Sequence, residues 1–502
     1  VSDTPHFQRR LGLFDGTMLV AGSMIGSGVY IVSAEVTRDT AGAGWLMMAW
    51  ALAGVMTILG ALSYAELAAM MPHAGGQYVF LREAYSPMWG FLYGWTSFTV
   101  IQTGTIAAVA VAFGKFLGLL VPVLGTGKEA VFYHGGTFAG IPLPLPWLSE
   151  PIRCLEIKEF TMTYGQLVGV ATVFLLTWWN TLGVQQGKLL QNVFTVTKIG
   201  SLLFVVVVAW LFTFNADIWH RNWSFQWAEM IGSKTYAKTT ALAPQLPVLI
   251  IEYMVLCAAL VGPLFSCDAW NNVTFTAGEM RNPQRNLPYS LILGTGSVIG
   301  LYLLVNAGYV GSMPLNDIAF AKDDRVATAL IDLWWPGHGA IVMAIAIMIS
   351  TFGCNNGLIL MGARLTYAMA RDGVFFRSVG TLNKNGVPAV GLWLQAIWAS
   401  VLAFSGTYND LLDYVIFAAL LFYALTVIGL FVLRKKRPDA ERPYRALGYP
   451  VLPAIYVLLC SAVMLDLLIV KPKLTWPGLI LVLLGVPVYL LWTMVGKPAR
   501  AE

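Results

Sequence analysis

Two charged side chains sit where a charge is hardest to keep. Asp268 and Lys198 each fall inside a run of apolar residues. A carboxylate at bilayer depth costs about 3 kcal/mol on insertion scales, so such a group generally has a partner or a task. Asp268 follows Gly262 and Pro263 and lies in the polar stretch Ser266–Asn272, which interrupts its apolar run. Unwound carbonyls there direct the negative end of a helix at a cation, and the carboxylate adds a formal charge. The chemistry is the holding of an α-ammonium group; the structural alternative is a buried ion pair. Lys198 lies in the middle of its run, far for a lysine to snorkel. It suits a proton-linked switch, or a fixed cation standing in for a sodium ion. The alternative is a lysine tied permanently to backbone carbonyls.

A second interruption lies near the start of the chain, where Gly22, Gly26 and Gly28 fall within seven residues. Each weakens a helix by about 1 kcal/mol. A half-helix beginning there presents free N–H groups and the positive end of its dipole, which suits a carboxylate, and Ser27 adds a hydroxyl. The competing reading is a GxxxG face, Gly22 to Gly26, packing between intact helices. The glycine spacing is wrong for a dinucleotide fingerprint, and no strand precedes it. Phe265 and Trp270 flank the other interruption, where large aromatics can close a pocket, although most aromatics in apolar runs are packing. Asn355 and Asn356 are polar positions in a later run; they line a pocket or, by default, hydrogen-bond between helices. The histidines His6, His73, His134, His220 and His338 lie in loops or at the ends of runs and form no triad. Cys154, Cys257, Cys267, Cys354 and Cys460 include no CxxC pair, so no metal or cofactor site is expected. Nothing in the pattern supports an enzyme or the charged ring of a channel.

The elements that must position these residues follow from composition. Of 502 residues, 57% are hydrophobic and 11% charged, and mean hydropathy is +0.68. A soluble chain needs roughly a quarter of its residues charged. Here the apolar residues recur in runs of about 20, enough to cross about 30 Å of hydrocarbon, and lipid forces such runs into helices. The expectation is an all-α polytopic membrane protein with twelve transmembrane helices, at 11–33, 43–71, 87–121, 163–182, 189–214, 247–277, 287–311, 338–370, 387–405, 408–433, 451–470 and 476–495. The first run is too long for a cleavable signal peptide and is followed by further spans. Two longer loops, 122–162 and 215–246, are read as covers over one face. The Lys and Arg residues between spans favour one side, including Arg434, Lys435, Lys436, Arg437, Arg442 and Arg445 in one cluster. The positive-inside rule then places both termini in the cytoplasm and the two long loops outside. The net charge of +5 is of this kind and does not suggest nucleic acid. The interrupted spans are the first and the sixth. That is the spacing expected if spans 1–5 and 6–10 are inverted repeats with a substrate where the broken helices meet.

The residues resemble a known group at several places, in order. The stretch Gly22–Tyr30 resembles the first-span signature of the amino acid–polyamine–organocation superfamily, and SYAEL at 63–67 followed by GGQY at 75–78 resembles the end of its second span. DAWN at 268–271 with EMRNPQRNLP at 279–288, FGCNNG at 352–357, ARL at 363–365, RDG at 371–373, RKKRP at 434–438 and ERP at 441–443 are similar to the L-amino-acid transporter family. The resemblance implies a 5+5 inverted repeat, broken first and sixth helices and alternating access. It divides the chain into a cytoplasmic N-terminus (1–10), a ten-helix transport core (11–433, with repeats 11–214 and 247–433), a basic cytoplasmic loop (434–450), helices eleven and twelve (451–495) and a cytoplasmic C-terminus (496–502).

Carried over by position, Met24, Gly26, Ser27 and Gly28 would hold the α-amino and α-carboxyl groups of an amino acid. Phe265 would be the gate and supply a carbonyl to the amine, and Asp268 and Asn271 would face the side chain. Lys198, with Phe265, Trp270 and Asn356, would serve coupling and gating, with Lys198 taking the place of sodium. The implied activity is sodium-independent exchange of neutral or cationic L-amino acids across a plasma membrane, the alternative being a proton-coupled carrier of amino acids, amines or polyamines. Many members have a small residue where this chain has Asp268, and a carboxylate there is similar to members that accept cationic substrates. Animal relatives use a cysteine near Cys154 to bond an accessory heavy chain; a lone outside cysteine is otherwise a free thiol, the reading preferred here.

Overall fold

The computed structural model describes residues 7–495 apart from 8, 139, 145–151, 155–159, 225–226, 228–232, 243–244 and 406–407. Each of the twelve expected spans is a helix or a pair of half-helices. Span 1 is Leu13–Met24 (1a) and Gly28–Thr40 (1b), bent by 41° at the break. Span 2 is Ala43–Met70 and span 3 Pro87–Leu120, with a π-helical turn at Ser97–Ile101. Spans 4 and 5 are Tyr164–Thr181 and Val184–Phe212. Span 6 runs helically from Val248 to Ser266, unwinds at Cys267–Ala269, and continues as a 3₁₀ segment, Trp270–Glu279. Spans 7 to 12 are Pro283–Ser312, Gly339–Arg371, Ala389–Ser405, Tyr408–Lys436, Val451–Val470 and Pro472–Val495.

Among the described residues, nine helices are long and apolar enough to cross a bilayer, and ten if the bent span 1 counts as one. The two that fall short are spans 4 and 9. Span 4 carries Gln166 and Asn180 near its ends, both buried against neighbouring helices, and span 9 has 17 residues. Polar or short spans survive there because helices, rather than lipid, cover their polar groups.

The packing of spans 1–5 is repeated by spans 6–10. Span 2 lies on span 7, span 3 on span 8 and span 4 on span 9. Span 5 packs on span 8 as span 10 packs on span 3, and span 1 lies on spans 5 and 7 as span 6 lies on spans 10 and 2. Five is odd, so the second set begins on the opposite side of the bilayer from the first. The arrangement is a 5+5 inverted repeat with both broken helices at its centre.

The loop 122–162 contains two small antiparallel hairpins, Val131–His134 with Thr161–Thr163 and Ile141–Leu143 with Ile152–Cys154. The side chain of Cys154, the residue considered for an accessory chain, lies outside the described residues. The loop 215–246 folds into Ala216–Ser224, on span 7, and Lys234–Leu242, on spans 6, 11 and 1b. A third connection also forms a cover. Residues 313–338 hold the helices Leu315–Ala319 and Val326–Trp334, both against 1b. The end of 1b is tied to this cover by Arg38, which donates to the Ala319 carbonyl at 2.6 Å and pairs with Asp324 at 2.5 Å.

The opposite end is held by ion pairs. Arg364 of span 8 pairs with Glu279 at 2.9 Å, and both are buried. The N–H groups of Arg10 and Leu11 donate to the Glu279 carbonyl, strapping the start of the chain to the end of span 6. Arg434 binds Glu66 at 2.6 and 2.9 Å, and Arg82 pairs with Asp372.

Candidate functional site

The glycines of the first break do different jobs. A Cβ at Gly22 would collide with Thr195 and Gln191 of span 5, and one at Gly28 with Ser266 of span 6. At Gly26 the nearest atom to such a Cβ would be Cys354 Sγ, 3.8 Å away, so that position has room. The span is broken rather than intact and Gly26 is not packed, so a GxxxG face from Gly22 to Gly26 does not form; close packing is kept at Gly22 alone. Gly22 packs helix on helix, and the turn at 25–27 opens the backbone.

Lys198 is fully buried and serves the same break. Its Nζ donates to the carbonyls of Gly22 at 2.5 Å and Ile25 at 2.9 Å. These are two of the carbonyls orphaned at the end of 1a. Ser350 of span 8 adds bonds to Ile25 at 3.2 Å and Gly26 at 2.9 Å, and Cys354 Sγ lies 3.0 Å from the Ser23 carbonyl. A cation fixed at the negative end of a broken helix is favoured by the dipole and by charge-assisted hydrogen bonds.

Tyr302 of span 7 joins the two breaks. Its single hydroxyl proton is shared between the Met24 carbonyl at 3.0 Å and the Ser266 carbonyl at 3.2 Å. Nothing at Tyr302 marks it in the sequence, since a tyrosine in an apolar run is commonplace. Tyr302→Phe leaves both carbonyls short of a donor. It is expected to lower transport by a few-fold, the worth of about 1 kcal/mol for one shared hydrogen bond. Initial rates in vesicles check this, with the melting temperature as the control for folding.

The second break carries the acid. Asp268 is buried, and its Oδ1 accepts a 2.5 Å hydrogen bond from the Tyr423 hydroxyl of span 10. Tyr423 is 3.1 Å from Asn271 Oδ1, and Asn271 Nδ2 donates to Gln77. Asp268 borders two cavities. The first is lined by Tyr93, Ser97, Gln102, Asn271 and Tyr423 among others, and the second by Thr57, Cys267, Trp270, Tyr423 and Tyr456 among others. Their free volumes, about 10 and 20 Å³, suit one water molecule each. The site is therefore closed around its polar groups, and an amino acid enters only if helices move.

Asp268 and Asn271 reach a cavity wall, and Trp270 lines the second cavity. Met24 meets the second break through Tyr302 and Gly28 meets it at Ser266, but neither they nor Gly26 and Ser27 line these two cavities. Phe265 also lines neither; its carbonyl accepts the Asp268 N–H at 3.1 Å. Asn356 is placed elsewhere. Its amide bonds Asn180 of span 4 and Gly187 and Gln191 of span 5, so it ties three helices together rather than facing a cavity. Asn355 Oδ1 is buried without a hydrogen-bond partner among the described residues.

A family model described as amino acid permease matches residues 11–491, nearly the whole chain. The chain belongs to the amino acid permease family. It is a membrane transporter of amino acids and not an enzyme. Among curated proteins this permease is 28% identical to the b(0,+)-type amino acid transporter 1 of Homo sapiens, over 96% of this chain and 86% of that one. It is 24% identical to the Asc-type amino acid transporter 1 of Mus musculus (98% and 82%). It is 26% identical to the large neutral amino acids transporter small subunit 2 of Rattus norvegicus (96% and 80%). Each match covers nearly the whole of this chain and about four fifths or more of the relative.

Proposed function

We propose that this permease exchanges L-amino acids without sodium, by alternating access. The observation that carries the reading is Lys198, whose ammonium already occupies the carbonyls at the end of 1a where a bound cation would otherwise be needed. The α-carboxylate would meet the N–H groups at the start of 1b, near Gly26, Ser27 and Gly28. The α-ammonium would meet the carbonyls of the second break, including that of Phe265. The substrate side chain would extend toward Asp268 and Asn271, and the acid makes cationic amino acids substrates beside neutral ones. That relatives are named for b(0,+)-type, Asc-type and large neutral amino acid transport supports the substrate class.

The transport core is then 11–433, with spans 11 and 12 at its side, in a plasma membrane; the excess of Lys and Arg on one side supports placing both termini inside. One relative is named a small subunit, and the one candidate for a link to an accessory chain, the Cys154 side chain, lies outside the described residues.

Counterflow tests the reading. Purified permease in sodium-free vesicles loaded with unlabelled amino acid is expected to accumulate labelled substrate, and empty vesicles are expected to take up little. Equal uptake into empty vesicles under an imposed proton gradient would replace exchange with proton coupling.

A further inference from the structure

Another acid within a span lies outside the site. Asp466 is on span 11, four residues from its outer end, and only 5% exposed. Neither carboxylate oxygen has a hydrogen-bond partner among the described residues. Asp268, by contrast, receives the Tyr423 hydroxyl, and Glu279 and Glu66 receive arginines. A carboxylate that is buried and left without donors is the least favourable state for this group.

Its surroundings belong to the parts that alternating access moves. Tyr253 and Cys257 of span 6 lie close enough to sense the charge of Asp466. Lys471, just past the end of span 11, senses both Asp466 and Asp39, and Asp39 is the penultimate residue of 1b. The helix Lys234–Leu242 closes the group from above. Its Thr235 donates to Asp39 at 2.8 Å, and Lys238, the next charge on that helix, donates to the Val470 carbonyl at 2.8 Å. Span 2 has no titratable residue at this level, and Lys473 at the start of span 12 is exposed. On span 10 the acids at this end are Asp410 and Asp413, whose side chains lie outside the described residues. On the buried face of span 11, Asp466 follows Tyr456 and Cys460, and Tyr456 lines the second cavity beside Asp268.

We propose that Asp466 is a proton-binding site that senses whether the outer path is open. It holds a proton in the closed state and releases it when 1b and span 6 move away. The inference rests on the alternating access proposed above. On opening, water reaches the carboxyl and Asp39 withdraws with 1b, leaving Lys471 to pair with the new carboxylate. The proton comes from the outer solution and returns to it, so none crosses the membrane. The sign follows directly. An acid exterior keeps Asp466 protonated and favours the closed path, and an alkaline exterior favours opening.

Uptake is measured in proteoliposomes at fixed internal pH, with the exterior varied from about pH 5 to about pH 8. Wild-type uptake is expected to rise several-fold over this range. Asp466→Asn, which mimics the protonated acid, is expected to be flat at the low wild-type rate. Lys471→Gln removes the cation that stabilises the carboxylate, so its profile is expected to move toward higher pH. A wild-type pH profile in the Asp466→Asn protein, or an unmoved one in Lys471→Gln, overturns the proposal. Difference infrared spectra of the reconstituted protein read the carboxyl directly. A protonated-carboxyl band that titrates with external pH and is missing in Asp466→Asn supports the site even if no amino acid is taken up. That last outcome would overturn the exchange reading instead, and absence of the band would overturn the proton site while leaving exchange intact.

Discussion

Lys198→Ala is expected to abolish amino-acid uptake while the protein remains folded and monodisperse. The Lys198 ammonium makes two hydrogen bonds to the end of 1a, at Gly22 and Ile25, in a fully buried setting. Hydrogen bonds from charged groups contribute about 1.5–3 kcal/mol each, so losing both removes enough to lower the rate by at least about 100-fold. The loss is specific to the break. Span 1a remains packed on span 5 through Gly22 against Thr195 and Gln191, and on span 7, so the helices stay assembled. Arginine in place of Lys198 is not expected to rescue transport, because its planar fork needs more room than Gly353, whose added Cβ would already crowd the lysine stem, leaves there. Initial uptake rates with size-exclusion profiles as the folding control check this, and undiminished uptake would remove Lys198 from the mechanism.

Asp268→Gly is expected to separate cationic from neutral substrates. Uptake of arginine, lysine or ornithine should fall by about 10- to 100-fold, the worth of one charge-assisted hydrogen bond in a dry site, and neutral amino acids by about threefold or less. In the closed state the carboxylate is held by Tyr423 and faces cavities of water size, so a cationic side chain must take over that bond as the site opens. The ratio of the two uptake rates is the measurement, because a general loss of folded protein cancels from it. Equal loss for both substrate types would make the charge structural, tying spans 6 and 10 together through Tyr423 and Asn271.

What could be read from the chain in advance depended on how locally each property is encoded. Membrane helices are, because lipid accepts no unsatisfied backbone and about 20 apolar residues are needed wherever one crosses. Hence the expected boundaries of spans 2, 3, 9 and 11 agree with the observed ones to within two residues. The breaks at 25–27 and 267–269 were likewise visible in glycine and polar clusters. The cover at 313–338 was not distinguished, since it holds two helices of 5 and 9 residues without the period or length of a span.

Side-chain partners are a different matter. Lys198 and Asp268 stood out because a charge in an apolar run is conspicuous, but whether each bound backbone, acid or hydroxyl could not be read from neighbours in sequence. Lys198 bonds residues 173 and 176 positions away, and Asp268 one 155 away. Asn356 shows the same limit from the other side: its polarity allowed a pocket or, by default, a bond between helices, and only its contacts with Asn180 and Gln191 show which helices it joins. Tyr302 and Tyr423 carried no signal at all, because tyrosine is at home both in packing and at interfaces. Sequence by itself therefore determined the membrane class, the span order and the two places where helices fail, all set by the local balance of backbone, side chain and lipid. Tertiary structure alone decided which carbonyls Lys198 satisfies, that Tyr423 holds Asp268, and that Tyr302 links both breaks, because those bonds exist only once the two repeats are packed together.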